Sequence, residues 1–319
     1  MANCSARLLS VGTAVPEHVV TNTDLARTLD TSNEWILSRT GISSRRIVKE
    51  PRNDDATRLG AAAGHSALQR AGCTPAQVDT VICATFTPDS FFPSTACRIQ
   101  NELGCVNAAA FDILAACSGF VYGLGIANAL ICSEQSRTVL LIGSEIISRT
   151  LDWSDRNTCI LFGDGAGAAV IQSEPGSGKG ILATHMSSKG DMGSILYCNA
   201  WGNDRTMRMN GQEVFKNAIR LMSTAAHKVC EQAGVGIDDV DLFIPHQANV
   251  RIVKGLAEKL GIADEKVVCN IERYGNTSSA SIPLALEEAW ESGLVVPGKL
   301  LLFTALGGGV TIGSALVRA

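Results

Sequence analysis

Two stretches of this chain repeat the same plan in different residues. ALQRAGCTPAQVDTVICAT (67–85) aligns with KVCEQAGVGIDDVDLFIPH (228–246). Each reads as a helix, an Ala-Gly stop, a short polar turn, Val-Asp and an apolar run. Gly72 and Gly234 stand where a helix C-cap calls for a left-handed residue. Both runs are followed by a loop and a stretch ending in Leu-Gly, at Leu103-Gly104 and Leu260-Gly261. TVLLIGSE (138–145) then parallels KLLLFTALGGG (299–309), and GDGAGAAVIQS (163–173) parallels GGGVTIGSALV (307–317). Repetition in one order implies a duplicated α/β unit. The expected halves are 1–174 and 175–319, meeting at the Gly/Ser/Pro linker SEPGSGKG (173–180). The runs VICAT, VLLIG, AAVIQ, LFIPH and LLLFT are apolar on both faces, as strands between helix layers are. Two such halves would stack as helix, sheet, helix, sheet, helix.

Composition narrows the function classes. A chain that is 46% hydrophobic and 18% charged can bury a large core. A net charge of −4 gives no nucleic-acid footprint. Eleven cysteines occur without a CxxC pair, so neither a zinc ribbon nor a dithiol redox motif is indicated. The start, MANCSARLL, lacks a basic-then-apolar leader. With free thiols, this leads to the expectation of a reducing cytoplasm. Residues 113–133 are uncharged and long enough for a membrane span. Glycines, serines and Asn128 dilute the stretch, and Asp112 and Glu134 flank it, so a buried core helix is expected instead.

Cys117 lies in FDILAACSGFVYGLGIANAL (111–130), between a β-like run and an apolar helix-like run. At a helix start, backbone N–H groups and the dipole favour a thiolate. Small neighbours, Ala115, Ala116, Ser118 and Gly119, permit a sharp turn. A buried core thiol is the competing reading, and local sequence leaves both open. A nucleophile needs a base or donors. Of five histidines, His246 closes an apolar run and is followed by Gln-Ala-Asn. Strand C-terminal ends are where α/β folds build sites, although a satisfied core histidine fits equally. Asn276 sits in YGNTSSASIPLALEEA (274–289), where helix capping is the plain alternative. ALGGGVTIGSALV (305–317) has three successive glycines, either a turn or backbone N–H groups exposed to a ligand.

Together the pieces resemble the β-ketoacyl-acyl-carrier-protein synthase III family over essentially the whole chain. They are TSNEWILSRTGISSRR (31–46), FFPSTACRIQ (91–100), AACSGF (115–120), FGDGAGAAV (162–170), MNGQEVFK (209–216), PHQANVRI (245–252), GNTSSASIP (275–283) and GGGVTIGSALVR (307–318). The resemblance implies a thiolase fold, in agreement with the duplicated α/β reading, and a homodimer. It implies an initiating condensation in type II fatty acid synthesis, between a short acyl-CoA, acetyl-CoA being favoured, and malonyl-loaded acyl-carrier protein. No metal or prosthetic cofactor is expected, and coenzyme A enters as part of a substrate.

The implied roles carry over by position. Cys117 takes the acyl group as a thioester. His246 and Asn276 donate to the malonyl thioester oxygen as enolate charge develops. The N–H groups of Cys117 and Gly308 hold the other oxyanion. Trp35, Arg39 and Arg156 would grip CoA, and Gly211, Phe215, Ala248 and Asn249 would line its pantetheine tunnel. Gln247, Ala248, Asn249, Val250 and above all Arg251 would meet the carrier protein. Lys254, Lys259 and Lys216 could add charge, which Glu258 interrupts. Phe92 would reach a partner's acyl pocket, with Phe91 its rival. Leu306 and Ile312 stand where the family commonly has aromatics. Three other readings compete: a specialised relative that loads or transfers acyl groups, a catalytically silent partner subunit, and a cysteine hydrolase. The intact Cys–His–Asn set disfavours the first two. The third needs an orienting carboxylate motif beside His246, and none is present.

Overall fold

The computed structural model describes residues 4–50, 52, 55–176 and 178–319; the side chain of Cys4 lies outside the description. The first sheet contains β1 (Cys4–Ala14), β2 (Thr80–Ala84), β3 (Ala109–Ile113), β4 (Thr138–Glu145) and β5 (Gly165–Pro175). The second contains β6 (Gly180–Ser188), β7 (Leu242–Pro245), β8 (Leu300–Gly307) and β9 (Thr311–Arg318). Their orders are β1-β5-β4-β2-β3 and β6-β9-β8-β7. The second order is the first with its last strand missing. A lone parallel bridge from Phe243 to Val267 stands where β2 pairs with β3. Directions match as well. β2 and β4 are parallel, as are β7 and β8, while β4–β5 and β8–β9 are antiparallel.

The principal helices are α1 (Asn33–Thr40), α2 (Asp55–Ala71), α3 (Thr95–Leu103), α4 (Gly119–Cys132), α5 (Gly211–Ala233), α6 (Val250–Leu260) and α7 (Ser281–Glu291). Gly72 and Gly234 close α2 and α5 at φ +64° and +69°, the left-handed conformation expected of them.

The helices form three layers. α2 and α3 cover the outer face of the first sheet, and α5 covers that of the second with α6 beside it. Between the sheets lie α4 and α7. Their Phe120, Leu124, Ile282 and Leu286 pack with Ile82 and Leu141 from one sheet and Ile244 and Phe303 from the other. Burial of each such side chain contributes about 1.5–3 kcal/mol. Two-sided contact explains why α4 is apolar almost throughout. α5 instead buries a stripe, including Ala218, Leu221, Met222 and Ala225, and turns its polar face outward. This is the five-layered αβαβα stack of the thiolase fold. Among the described residues, no helix is long and apolar enough to cross a membrane. Among the described residues no cysteine is joined in a disulfide.

Candidate active site

One cavity of about 890 Å³ opens between the halves. Its wall includes Cys117, His246, Asn276, Gly308 and Leu306, and toward its mouth Trp35, Arg39, Gly211, Phe215, Ala248, Asn249 and Arg251. The duplication explains this convergence. Cys117 and Asn276 each sit just ahead of a central helix, while His246 follows the end of β7. The tight turn at Cys117 lies against the turn at Ser278–Ala280.

Cys117 occupies the short 3-10 turn Ala116–Ser118 that leads into α4. Ala116 adopts φ +45°, a strained conformation for a side-chain-bearing residue. The glycine-rich hairpin between β8 and β9 closes on this turn. A Cβ on Gly307 would lie 2.5 Å from the Ala115 carbonyl oxygen and 2.9 Å from the Cys117 nitrogen, so only glycine permits the approach. Thr311 Oγ1 and Ser118 Oγ both reach the Ala115 carbonyl, at 2.9 and 2.8 Å, and tie the hairpin to the nucleophile turn.

The sulfur is held as a thiol, although its place at a helix start favours a thiolate. Burial pushes it up to about 12. A hydrogen bond from Ser278 and its own backbone N–H act against that push. Desolvation outweighs the helix-start effect because the side chain is almost wholly enclosed.

His246 is buried, and desolvation brings its imidazole down to about 3, so it is neutral at physiological pH. Its Nδ1 lies 2.6 Å from Ser281 Oγ, which also accepts the Gln247 backbone N–H at 3.3 Å. In the Nε2–H tautomer Ser281 donates to Nδ1, and in that form His246 has a ring N–H to offer a ligand. Asn276 is fixed in a complementary way. Its backbone N–H donates to Leu161 and its carbonyl accepts from Gly163, at 2.8 and 3.0 Å. Its Oδ1 accepts the Ser278 N–H at 2.8 Å, which leaves the amide NH₂ as the uncommitted end. A neutral imidazole N–H and an amide NH₂ can stabilise a developing oxyanion and cannot act as a strong base.

At the mouth, Trp35 carries two guanidinium groups, Arg39 at 5.7 Å and Arg156 at 5.1 Å from its ring centre. Arg156 is exposed and meets the cavity only through Trp35. Among the described wall residues are four arginines, Arg39, Arg149, Arg205 and Arg251, and no carboxylate. Such a mouth favours anionic ligands. Asn249 caps α6 and donates to the Arg39 carbonyl at 3.1 Å. Arg251 lies over the Phe215 ring at 5.4 Å, beside a second groove lined by Lys254, Lys259 and Glu258. Lys216 is also exposed.

Three expected positions, Gln247, Val250 and Ile312, lie elsewhere. Gln247 is buried, and its amide donates to the Pro245 carbonyl at 2.7 Å and accepts the Asn270 N–H at 3.1 Å. It braces the site and cannot meet a carrier protein. Val250 is half-buried against Gly41 rather than turned outward. Ile312 pairs with Leu306 across β8 and β9 but sits in the core beneath α5, off the cavity wall. Phe92, expected to reach a partner's pocket, is 87% exposed and outside its own chain's cavity. Phe91 is the ring that lines this chain's cavity, stacked on Trp201 at 5.1 Å. Sequence reasoning passed over Ser281 and Glu145. A hydroxyl following Asn276 and a lone acid closing an apolar strand were the available signals.

Family models described as 3-oxoacyl-[acyl-carrier-protein (ACP)] synthase III match residues 111–190, and its C-terminal counterpart matches 230–319. The chain is 49% identical to the beta-ketoacyl-[acyl-carrier-protein] synthase III of Aquifex aeolicus, over 98% of this chain and 99% of that one. The crystal structure of 3-oxoacyl-[acyl-carrier-protein] synthase III from Aquifex aeolicus superposes with TM-score 0.94 at 48% identity, covering 98% and 100% of the two chains. The priming beta-ketosynthase of the R1128 polyketide pathway superposes with TM-score 0.93 at 36% identity, covering 98% and 96%.

Proposed function

This chain belongs to the 3-oxoacyl-[acyl-carrier-protein] synthase III family, and from that membership we propose that it joins a short acyl-CoA to malonyl-carrier protein with loss of carbon dioxide, the opening condensation of fatty acid synthesis. One observation carries the reading: the Cys117 thiol, the neutral His246 and the Asn276 amide share one cavity with Gly308, behind an arginine-lined mouth. Acetyl-CoA is the proposed primer.

In the first half-reaction Cys117 sulfur attacks the acyl thioester carbon. The tetrahedral oxyanion takes hydrogen bonds from the Cys117 and Gly308 N–H groups. CoA leaves as a thiol, carrying the equivalent of the proton Cys117 gives up. In the second, the malonyl C–C bond breaks and its electrons move into the thioester. The oxygen that gains charge is held by His246 Nε2–H and the Asn276 NH₂. The enolate carbon then attacks the Cys117 thioester, and the sulfur leaves. A hydroxide-generating base would hydrolyse the acyl-enzyme, and a histidine held neutral with its proton on Nε2 avoids that. This counts against the hydrolase reading.

Trp35, Arg39 and Arg156 are the proposed clamp on CoA, and Arg251 the principal contact for an acidic carrier. Arg251→Glu is expected to raise KM for malonyl-carrier protein about tenfold, or ~1.4 kcal/mol. Acyl-CoA loading should stay unchanged, because reversal of a rim charge acts mainly on association. Separate assays of the two half-reactions at low and high salt check this, and an equal loss in both would remove Arg251 from the docking role.

A homodimer working in the cytoplasm completes the proposal. Phe92, Val106 and Leu114 are exposed apolar side chains of the kind a partner covers. Phe92 is the residue proposed to reach the partner's acyl pocket. Phe92→Ala should change the ratio of turnover between short and branched acyl-CoAs. Stability should move by no more than about 0.5 kcal/mol, as for other exposed positions. Unchanged selectivity would end this assignment. A panel of acyl-CoAs incubated with malonyl-carrier protein, with products identified by mass, tests the function as a whole.

A further inference from the structure

We propose that Glu145 works as a neutral, proton-bearing carboxyl that positions Asn276, its proton on Oε1 and shared with Ser279; this builds on the reading of Asn276 as a donor in decarboxylation. Glu145 ends β4 in the first half and is fully buried. Its carboxyl gathers groups from both halves. Oε2 accepts the Phe86 N–H at 3.2 Å and the Thr85 and Thr87 hydroxyls at 3.2 and 2.7 Å. The oxygens of those hydroxyls are themselves occupied, by the N–H of Thr87 at 3.1 Å and of Ile146 at 2.9 Å. Both hydroxyls donate to Oε2, which is the acceptor oxygen of the carboxyl.

Oε1 differs. It lies 3.0 Å from Ser278 Oγ and 3.2 Å from Ser279 Oγ. Ser279 Oγ also lies 2.8 Å from the Ala84 carbonyl oxygen, which can only accept. A hydroxyl has one hydrogen. Once Ser279 gives it to Ala84, the contact with Glu145 needs a hydrogen on Oε1. The pocket is thus built for a carboxylic acid. Burial agrees, pushing this carboxyl up to about 7 against the hydrogen bonds it accepts.

The turn so held is the one that aims Asn276. Ser278 has φ +51°, a strained conformation, and its N–H fixes Asn276 Oδ1. β4 approaches closely here; a Cβ on Gly143 would lie 2.6 Å from the Ser279 carbonyl oxygen. Ionisation of Glu145 would set lone pairs of Oε1 and Ser279 Oγ against each other and loosen the turn. The other titratable groups around Glu145 are buried thiols or carboxylates with partners of their own. Cys117 and Cys83 are thiols that burial holds protonated. Asp164, beside its paired Gly165, is taken up by Ser148 and the Val48 N–H. Asp55 and Asp89 are paired with Arg149.

Glutamine reproduces the acid form, with its NH₂ toward the serines and its oxygen toward the three donors. Glu145→Gln should therefore release carbon dioxide from malonyl-carrier protein at the wild-type rate a pH unit below the titration. It should also lack the fall in that rate that wild type shows a unit above. Glu145→Ala should lose about tenfold or more at both pH values, while Cys117 loading reports that each variant is folded. The direct readout is infrared: a protonated carboxyl C=O stretch in wild type, absent from Glu145→Gln and lost as pH rises. A glutamine variant that fails to fold, or that releases carbon dioxide tenfold more slowly than wild type below the titration, would overturn the proposal. Absence of the carboxyl band would do the same. Carbon dioxide release absent from wild type with the band present would overturn the enzymatic reading and leave the protonation state standing.

Discussion

Cys117→Ala is expected to transfer no acyl group and still release carbon dioxide from malonyl-carrier protein. The sulfur supplies the covalent bond; the other described thiol on the cavity wall, Cys198, ends the short strand Leu196–Cys198 and is turned to the Arg205 carbonyl at 3.2 Å. The decarboxylation donors lie on the other half of the chain and do not depend on it. The change removes one small, buried side chain from a turn held by Thr311 and Ser118, so the fold should survive. Acyl-enzyme formation from labelled acetyl-CoA and carbon dioxide release, measured separately, decide the matter. In wild type the label should reside on Cys117 alone; the other nine described thiols lack a glycine-rich turn opening on the cavity. Label on another cysteine with Cys117 bare would sink the nucleophile assignment.

Asn276→Ala should show the converse pattern: acyl loading on Cys117 within a few-fold of wild type, and decarboxylation slower by about 10²–10³, the usual consequence of deleting one oxyanion donor. His246→Ala should behave alike. Its imidazole is already uncharged far above its depressed titration near 3, so the donor role should be flat with pH across the neutral range. Loss of loading with decarboxylation retained in Asn276→Ala would reverse the roles assigned to the two halves.

The layered fold was legible because its punctuation repeats. Gly72 with Gly234, and VICAT with LFIPH, fix where helices stop and where buried strands begin, and the inner strands follow those marks, while the edge strands β1 and β6 carried none. The cluster of Cys117, His246 and Asn276 was legible as motifs, since each stands at a strand end or helix start. Burial was not. Gln247 sits within PHQANVRI between residues that face the cavity, yet its amide turns inward to brace Pro245 and Asn270. Ile312 and Leu306 are paired neighbours, and only the packing of α5 decides which of them reaches the wall. Glu145 was invisible for a related reason. Its partners come from 85–87 and 278–279, and no local pattern announces a carboxyl whose contacts lie that far apart in the chain.

The second sheet's missing strand, reduced to the Phe243–Val267 bridge, makes the two halves unlike where their sites are built. In the first half the corresponding strand, β3, delivers the chain to Cys117. In the second half the matching turn, ahead of α7, is reached by another route, past the loop that Gln247 braces. Thr85 and His246 likewise occupy matching strand ends, one holding Glu145 and the other facing the cavity. The two copies therefore divide the labour unequally: one has the strand that presents a nucleophile, and the other, a strand shorter, carries the donors. Because α4 and α7 share a single core, each half depends on the other to bury its central helix.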